Sequence, residues 1–78
     1  PFWGETVVTF ELGKPLPVWV RVLDVLGREV TSVAEGYYER GRHELILRGD
    51  GIASGVYLCR LTAGEWHLER LLLKIDGP

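Results

Sequence analysis

The chain has 78 residues, a formal net charge of −2, and 46% apolar against 26% charged side chains. That length bounds it to one small domain, near the size at which a single hydrophobic core only just suffices. Near-neutral charge gives no basic footprint for nucleic acid, no apolar run reaches the roughly 20 residues of a membrane-spanning helix, and the lone Cys59 excludes an intrachain disulfide. With no Met in 78 residues, the chain is expected to be a piece, residues 1–78, of a longer protein.

The predicted elements are short strands separated by turns. Thr6 to Leu12 alternates, with Val8, Phe10 and Leu12 on one side and Val7, Thr9 and Glu11 on the other. Gly13-Lys14-Pro15-Leu16-Pro17 breaks it, because proline cannot donate to a ladder. Val18 to Val25 resumes, with Val18, Val20 and Val22 facing one way and Trp19, Arg21 and Leu23 the other. Leu26-Gly27 reads as a tight hairpin turn, with Arg28 to Val33 returning. Glu35 to Gly41 is less regular and bounded by glycines. His43, Leu45 and Leu47 then alternate with Glu44, Ile46 and Arg48, and Gly49-Asp50-Gly51 is a turn. Val56 to Thr62 pairs with Trp66 to Ile75 through Ala63-Gly64-Glu65. The pattern predicts an all-β antiparallel sandwich of about seven strands. Its expected core is Val8, Phe10, Val20, Val22, Leu45, Leu47, Tyr57, Leu61 and Leu73.

Five segments taken in order carry a family resemblance. They are Pro1-Phe2, the strand running into Asp24-Val25-Leu26-Gly27-Arg28-Glu29-Val30, Gly41-Arg42-His43, Ser54-Gly55-Val56-Tyr57 leading to Arg60-Leu61, and Leu71-Leu72-Leu73-Lys74. Together they resemble the type A C-terminal sorting domain of type IX secretion cargo, itself related to the immunoglobulin-like module of flagellar hook-capping proteins. The family's Asn-Pro after the first Phe is replaced here by Trp3-Gly4, and the chain runs on past Lys74 to Ile75-Asp76-Gly77-Pro78. The motif positions are Pro1, Phe2, Asp24, Gly27, Arg28, Gly41, Gly55, Tyr57 and Leu61.

The resemblance implies an immunoglobulin-like sandwich behind a catalytic or adhesive domain of a Gram-negative secreted protein. Its implied partners are the outer-membrane type IX translocon and its sortase-like peptidase. The implied route runs through the periplasm to the medium or cell surface. The export signal it implies lies near the C-terminus, carried here to Leu68, Leu71, Leu72, Leu73 and Lys74.

The motif residues also have structural duties. Asp24 is expected to accept backbone N–H groups across its hairpin, Gly27 to supply a positive φ, and Arg28 to lie over the turn or pair with Asp24. Gly55 would let a strand start close beside a neighbour, and Tyr57 would bury its ring while its hydroxyl finds a partner. They identify the family, whereas the signal is expected in the last strand and its exposed edge.

No enzyme is expected. Ser54 has no nucleophile-elbow context, the carboxylates Glu11, Asp24 and Glu35 are scattered, and neither metal nor cofactor is called for. His43 and His67 lack ligand spacing, and His43 reads as a packed, hydrogen-bonded histidine. Arg48-Gly49-Asp50 spells an adhesion tripeptide that turn chemistry already explains. Cys59 reads as a small buried apolar residue. The competing function is a carbohydrate-binding or spacer module of an extracellular hydrolase. A sugar platform would need three of Trp3, Trp19, Trp66, Tyr37 and Tyr38 coplanar and exposed on one face.

Overall fold

The computed structural model describes residues 1–76; Gly77 and Pro78, the end of the tail, lie outside the described residues. Six strands follow in chain order: β1 (Glu5–Leu12), β2 (Leu16–Leu23), β3 (Glu29–Tyr38), β4 (Gly41–Arg48), β5 (Gly55–Ala63) and β6 (Trp66–Lys74). Strands β1 and β4 form a two-stranded sheet, and the others form a four-stranded sheet ordered β3-β2-β5-β6. Every strand pairing is antiparallel.

The period-2 pattern decides which side of each strand is covered. In β1, Leu12 is buried and Val8 and Phe10 pack against the core, while Val7 is exposed. In β2, Val18, Val20 and Val22 are all buried. Val8, Phe10 and Leu45 of the smaller sheet meet Val18, Val20 and Leu61 of the larger in one apolar cluster. Of the other expected core positions, Leu47 and Val22 are buried and Tyr57 is half-buried at the rim.

The number of strands departs from the expectation. The strand count is six, because the irregular stretch from Glu35 belongs to β3, which pairs with β2 as far as Leu16↔Tyr38. Gly36 lies inside β3, on a sheet edge, where a residue lacking a side chain costs little packing. Leu23 keeps the parity of Trp19, since β2 pairs with β5 without a shift as far as Leu23↔Leu58. The register shifts against β3 leave the extra residues Val33 and Val30 in β3, and both Val22 and Leu23 are buried.

Leu73, expected in the core, is 44% exposed, and Leu72 packs against the core instead. The physical reason lies in the preceding turn. Ala63 pairs with Trp66, leaving a two-residue loop in which Gly64 has φ +60 and no non-glycine residue has a positive φ. That is the type II′ geometry, and it fixes a register in which Leu72 lies opposite Tyr57 and Leu73 opposite Val56.

Leu23 is among the largest fully buried side chains, at 1% exposure. Leu23→Ala is therefore expected to cost about 2–5 kcal/mol, most of the stability such a small domain holds. Urea denaturation of the purified chain measures it. A loss under about 1 kcal/mol would contradict tight packing at the end of β2.

Candidate functional site

Register brings most of the motif residues to one end of the larger sheet. Glu29, Leu23, Leu58 and Leu71 lie in one row across its four strands. Just beyond that row lie the Asp24–Arg28 loop, the start of β5 with Gly55 and Tyr57, and the end of β6 with Leu72 and Lys74. Phe2 joins them through a parallel bridge to Lys74. Pro1 precedes it, and is exposed. Gly41 does not join the group. It opens β4 opposite Leu12, at the far end, with φ +124. Leu61 sits mid-strand between Val20 and Leu68.

The Asp24–Arg28 loop works as the sequence suggests. The main chain closes it twice, with Asp24 N–H donating to Arg28 O and Gly27 N–H donating to Asp24 O, both at 2.9 Å. Asp24 Oδ1 accepts from Leu26 N–H and Arg28 N–H at 2.9 Å each, and Oδ2 accepts from Arg28 Nε at 2.8 Å. Gly27 has φ +83. This is a three-residue loop with glycine in the left-handed position, one residue longer than a Leu26-Gly27 turn. The Arg28 N–H bond, with further help from the guanidinium, holds the Asp24 carboxyl below its ordinary value of 3.8.

Gly55 serves conformation rather than close approach. Its φ is +153, while a Cβ there would meet only the Tyr57 ring, at ordinary contact distances from 3.8 Å. The Tyr57 hydroxyl donates to Ala53 O at 2.6 Å, folding the chain before β5 back over the strand's start.

The close approach occurs at Gly49 instead. A Cβ there would lie 2.7 Å from Lys74 Cε, 3.1 Å from Gly4 O and 3.1 Å from the Phe2 ring. Gly49 N–H donates to Gly4 O at 2.8 Å. Phe2 N–H donates to Leu73 O, and Ile75 N–H donates to Phe2 O, both at 2.9 Å. The N-terminal segment is thus threaded between the β4–β5 turn and the end of β6. Sequence reasoning missed this latch, because Gly49 was fully accounted for as a turn residue. Its only signal was a second glycine, two residues before the one the turn requires: Gly51, with φ +80, supplies the turn closed by Ile52 N–H to Gly49 O.

The five signal positions fall on an edge strand. Leu71 is 72% exposed and Leu68 59%, and Leu73 is also exposed. Leu72 packs on the core, and the Lys74 side chain is largely covered, its Nζ donating to Ile75 O at 3.0 Å. Because Leu73 O and Ile75 N–H point to Phe2, the odd-numbered residues of β6 direct their main-chain groups away from β5. Among the described residues, no strand meets those groups from His67 to Leu71. An apolar groove of about 490 Å³ runs between this stretch and β1, lined by Phe10, Leu12, Leu61, Trp66 and Leu68 among others.

The remaining candidates resolve into packing. His43 stacks on Phe10 at 5.2 Å, meets Tyr38 edge-on at 5.1 Å, and hydrogen-bonds Glu39 O through Nε2 at 2.7 Å. His67 is exposed on β6. Among the described residues, no group of three His, Cys, Asp or Glu side chains is placed to hold a metal ion. Trp19 lies beneath the Arg21 guanidinium at 3.9 Å and donates to Ser32 Oγ. Tyr38 packs against the core, and Trp66 lies opposite Ala63, on the other face of the sheet from Trp19. Neither Tyr38 nor Trp66 therefore shares a face with Trp19, whereas Tyr37 does, and Trp3 and Tyr37 are exposed. Arg48 pairs with Glu5 at 2.7 Å and Gly49 is buried, which ties down the tripeptide. Cys59 is buried, and burial pushes its thiol pKa up.

No family model, curated protein or solved structure matches the chain.

Two predictions follow from the turn and the latch. Asp24 gains stability only while ionised, so its contribution is complete above the ordinary carboxylate value of 3.8 and is lost as pH falls through the lower folded-state value. Asp24→Asn keeps an acceptor for the loop N–H groups but loses the charge. Its deficit in melting temperature is expected at pH 7 and should close in the acid range, while the Asp24→Ala deficit persists. An Asn deficit that stayed constant to about pH 2 would contradict the ion-pair account.

Gly49→Ala should cost about 1–3 kcal/mol by overpacking. Because it acts by displacing the Phe2 segment, it should be less than additive with Phe2→Ala in a thermal-melt double-mutant cycle. Strict additivity would show that the two residues act independently.

Proposed function

We propose that this chain is a non-catalytic C-terminal sorting domain, folded as an immunoglobulin-like sandwich, that directs an upstream catalytic or adhesive domain through type IX secretion. The observation that carries this reading is the state of the last strand. The segment to which the family resemblance assigns the signal, Leu68 to Lys74, lies on a sheet edge whose outward main-chain groups, from His67 to Leu71, meet no strand among the described residues. An edge of that kind is read by strand addition: main-chain bonds supply affinity, and the alternate side chains supply specificity. The five family segments, running in order over the whole chain, support the same reading.

In this mechanism the folded domain displays β6 to the outer-membrane translocon during transit of the periplasm. A sortase-like peptidase then cuts the linker before Pro1, releasing the passenger or transferring it to a surface anchor. The Asp24 loop, Gly55 and Tyr57 build the end of the sheet on which β6 terminates and do not themselves touch the receptor.

The test appends residues 1–78 to a reporter in a Gram-negative host with type IX machinery. The reporter is expected in the medium or on the cell surface, and deletion of Leu71 to Pro78 should retain it inside. Leu71→Pro is the sharper variant. It removes an N–H that points away from β5, so the domain should still fold while strand addition fails. Retention of the unaltered fusion inside the cell would sink the proposal.

A further inference from the structure

We propose that the chain self-associates into a two-fold dimer by antiparallel pairing of the free stretch of β6 with its copy, Leu68 sitting on the axis. The proposal does not rest on the sorting reading.

Edge strands of monomeric proteins are normally blunted by proline, a bulge or charged side chains, lysine above all. The free stretch of β6 has no proline, bulge or lysine, and its basic charge is Arg70, which donates to Glu69 O at 3.1 Å and which the pairing below covers. It pairs with β5 without a register shift over its whole length, and contains neither Pro nor Lys between Trp66 and Leu71. Its one acidic charge is already balanced on the sheet surface, where Glu69 Oε2 accepts from Arg60 Nε at 3.0 Å and from Nη2 at 2.7 Å. Trp66, at 74% exposure, and Leu68 present apolar surface along the open side of the groove beside β1.

Geometry and charge together select one register. A two-fold axis normal to the sheet preserves its faces, so each residue must oppose one of its own parity and some residue must oppose itself. With Leu68 on the axis, Leu68 meets Leu68 as a close non-hydrogen-bonded pair. His67 and Glu69 then exchange main-chain bonds, because odd positions are those whose N–H and C=O face outward. His67 lies beside Glu69 of the copy. Trp66 lies beside the copy's Arg70 on the other face, where the guanidinium stacks on the indole.

The neighbouring registers fail. An axis at His67 opposes Glu65 to Glu69, one at Glu69 sets two carboxylates face to face, and one at Arg70 sets two guanidinium groups face to face. An axis at Leu71 requires the copy to pair with Ile75, whose N–H already donates to Phe2 O. The Leu68 register ends before Leu73, and leaves the latch in place.

The occupant is therefore a second copy of this chain, held by a short edge and of modest affinity. Sedimentation equilibrium from about 10 µM to about 1 mM should show the mass rising from monomer to dimer. Register is tested by oxidising Leu68→Cys and Arg70→Cys variants, with the unaltered chain as the control for buried Cys59. In the proposed dimer the Cα atoms at 68 are about 4.5 Å apart, within disulfide reach, and those at 70 are about 13 Å apart. Leu68→Cys should crosslink at least tenfold faster than Arg70→Cys. A mass that stays monomeric throughout, or equal crosslinking at the two positions, would overturn the proposal.

Discussion

The type II′ turn at Gly64-Glu65 sets the parity of the last strand, and the character of the exposed edge follows from it. With Ala63 opposite Trp66, Leu68, Arg70 and Leu72 direct their main-chain groups to β5, and His67, Glu69 and Leu71 direct theirs outward. The same parity sends Leu72 to the core and leaves Leu73 exposed. A slip of one residue would reverse every one of these assignments. Glycine is needed at the first loop position for its φ of +60, so a single residue fixes both what the edge offers to hydrogen bonding and which leucines it shows.

The edge is closed at only one end. Phe2 pairs with Leu73 and Ile75, and Gly49 leaves the space through which Phe2 and Gly4 pass. This contact joins the entry to the smaller sheet, just before β1, to the exit of the larger one. Pro1-Phe2 and Leu71-Leu72-Leu73-Lys74 are the first and last of the five motif segments, and the latch sets them side by side. Under the sorting proposal, the linker to the passenger and the signal strand meet at one point of the fold. The free stretch from Trp66 to Leu71 is then the part left for strand addition, whether by a receptor or by a second copy.

Much of this architecture was legible in the sequence, because alternation is a direct record of which face is covered. Val18, Val20 and Val22 in β2, and Val8 and Phe10 in β1, follow from spacing alone. The Asp24 loop was legible in chemical detail, since Asp, Gly and Arg at those separations have few other ways to satisfy a hairpin. Other features were hidden for identifiable reasons. Three consecutive leucines carry no parity of their own, so Leu73 was misassigned. Bulges leave no alternation signal, so the two register shifts between β2 and β3 were hidden. The stretch from Glu35 lacked alternation and was bounded by glycines, yet it continues β3 along a sheet edge. The Phe2–Gly49 contact joins residues 47 positions apart in the sequence, and local pattern holds no record of such pairs.

Amide hydrogen exchange in β6, measured by NMR in dilute solution, tests the central account most directly. It predicts slow exchange at Leu68, Arg70 and Leu72, which donate to β5, and at Ile75, which donates to Phe2. It predicts fast exchange at His67, Glu69 and Leu71. Uniform protection along the strand, or the opposite alternation, would contradict both the parity of the edge and the role assigned to it.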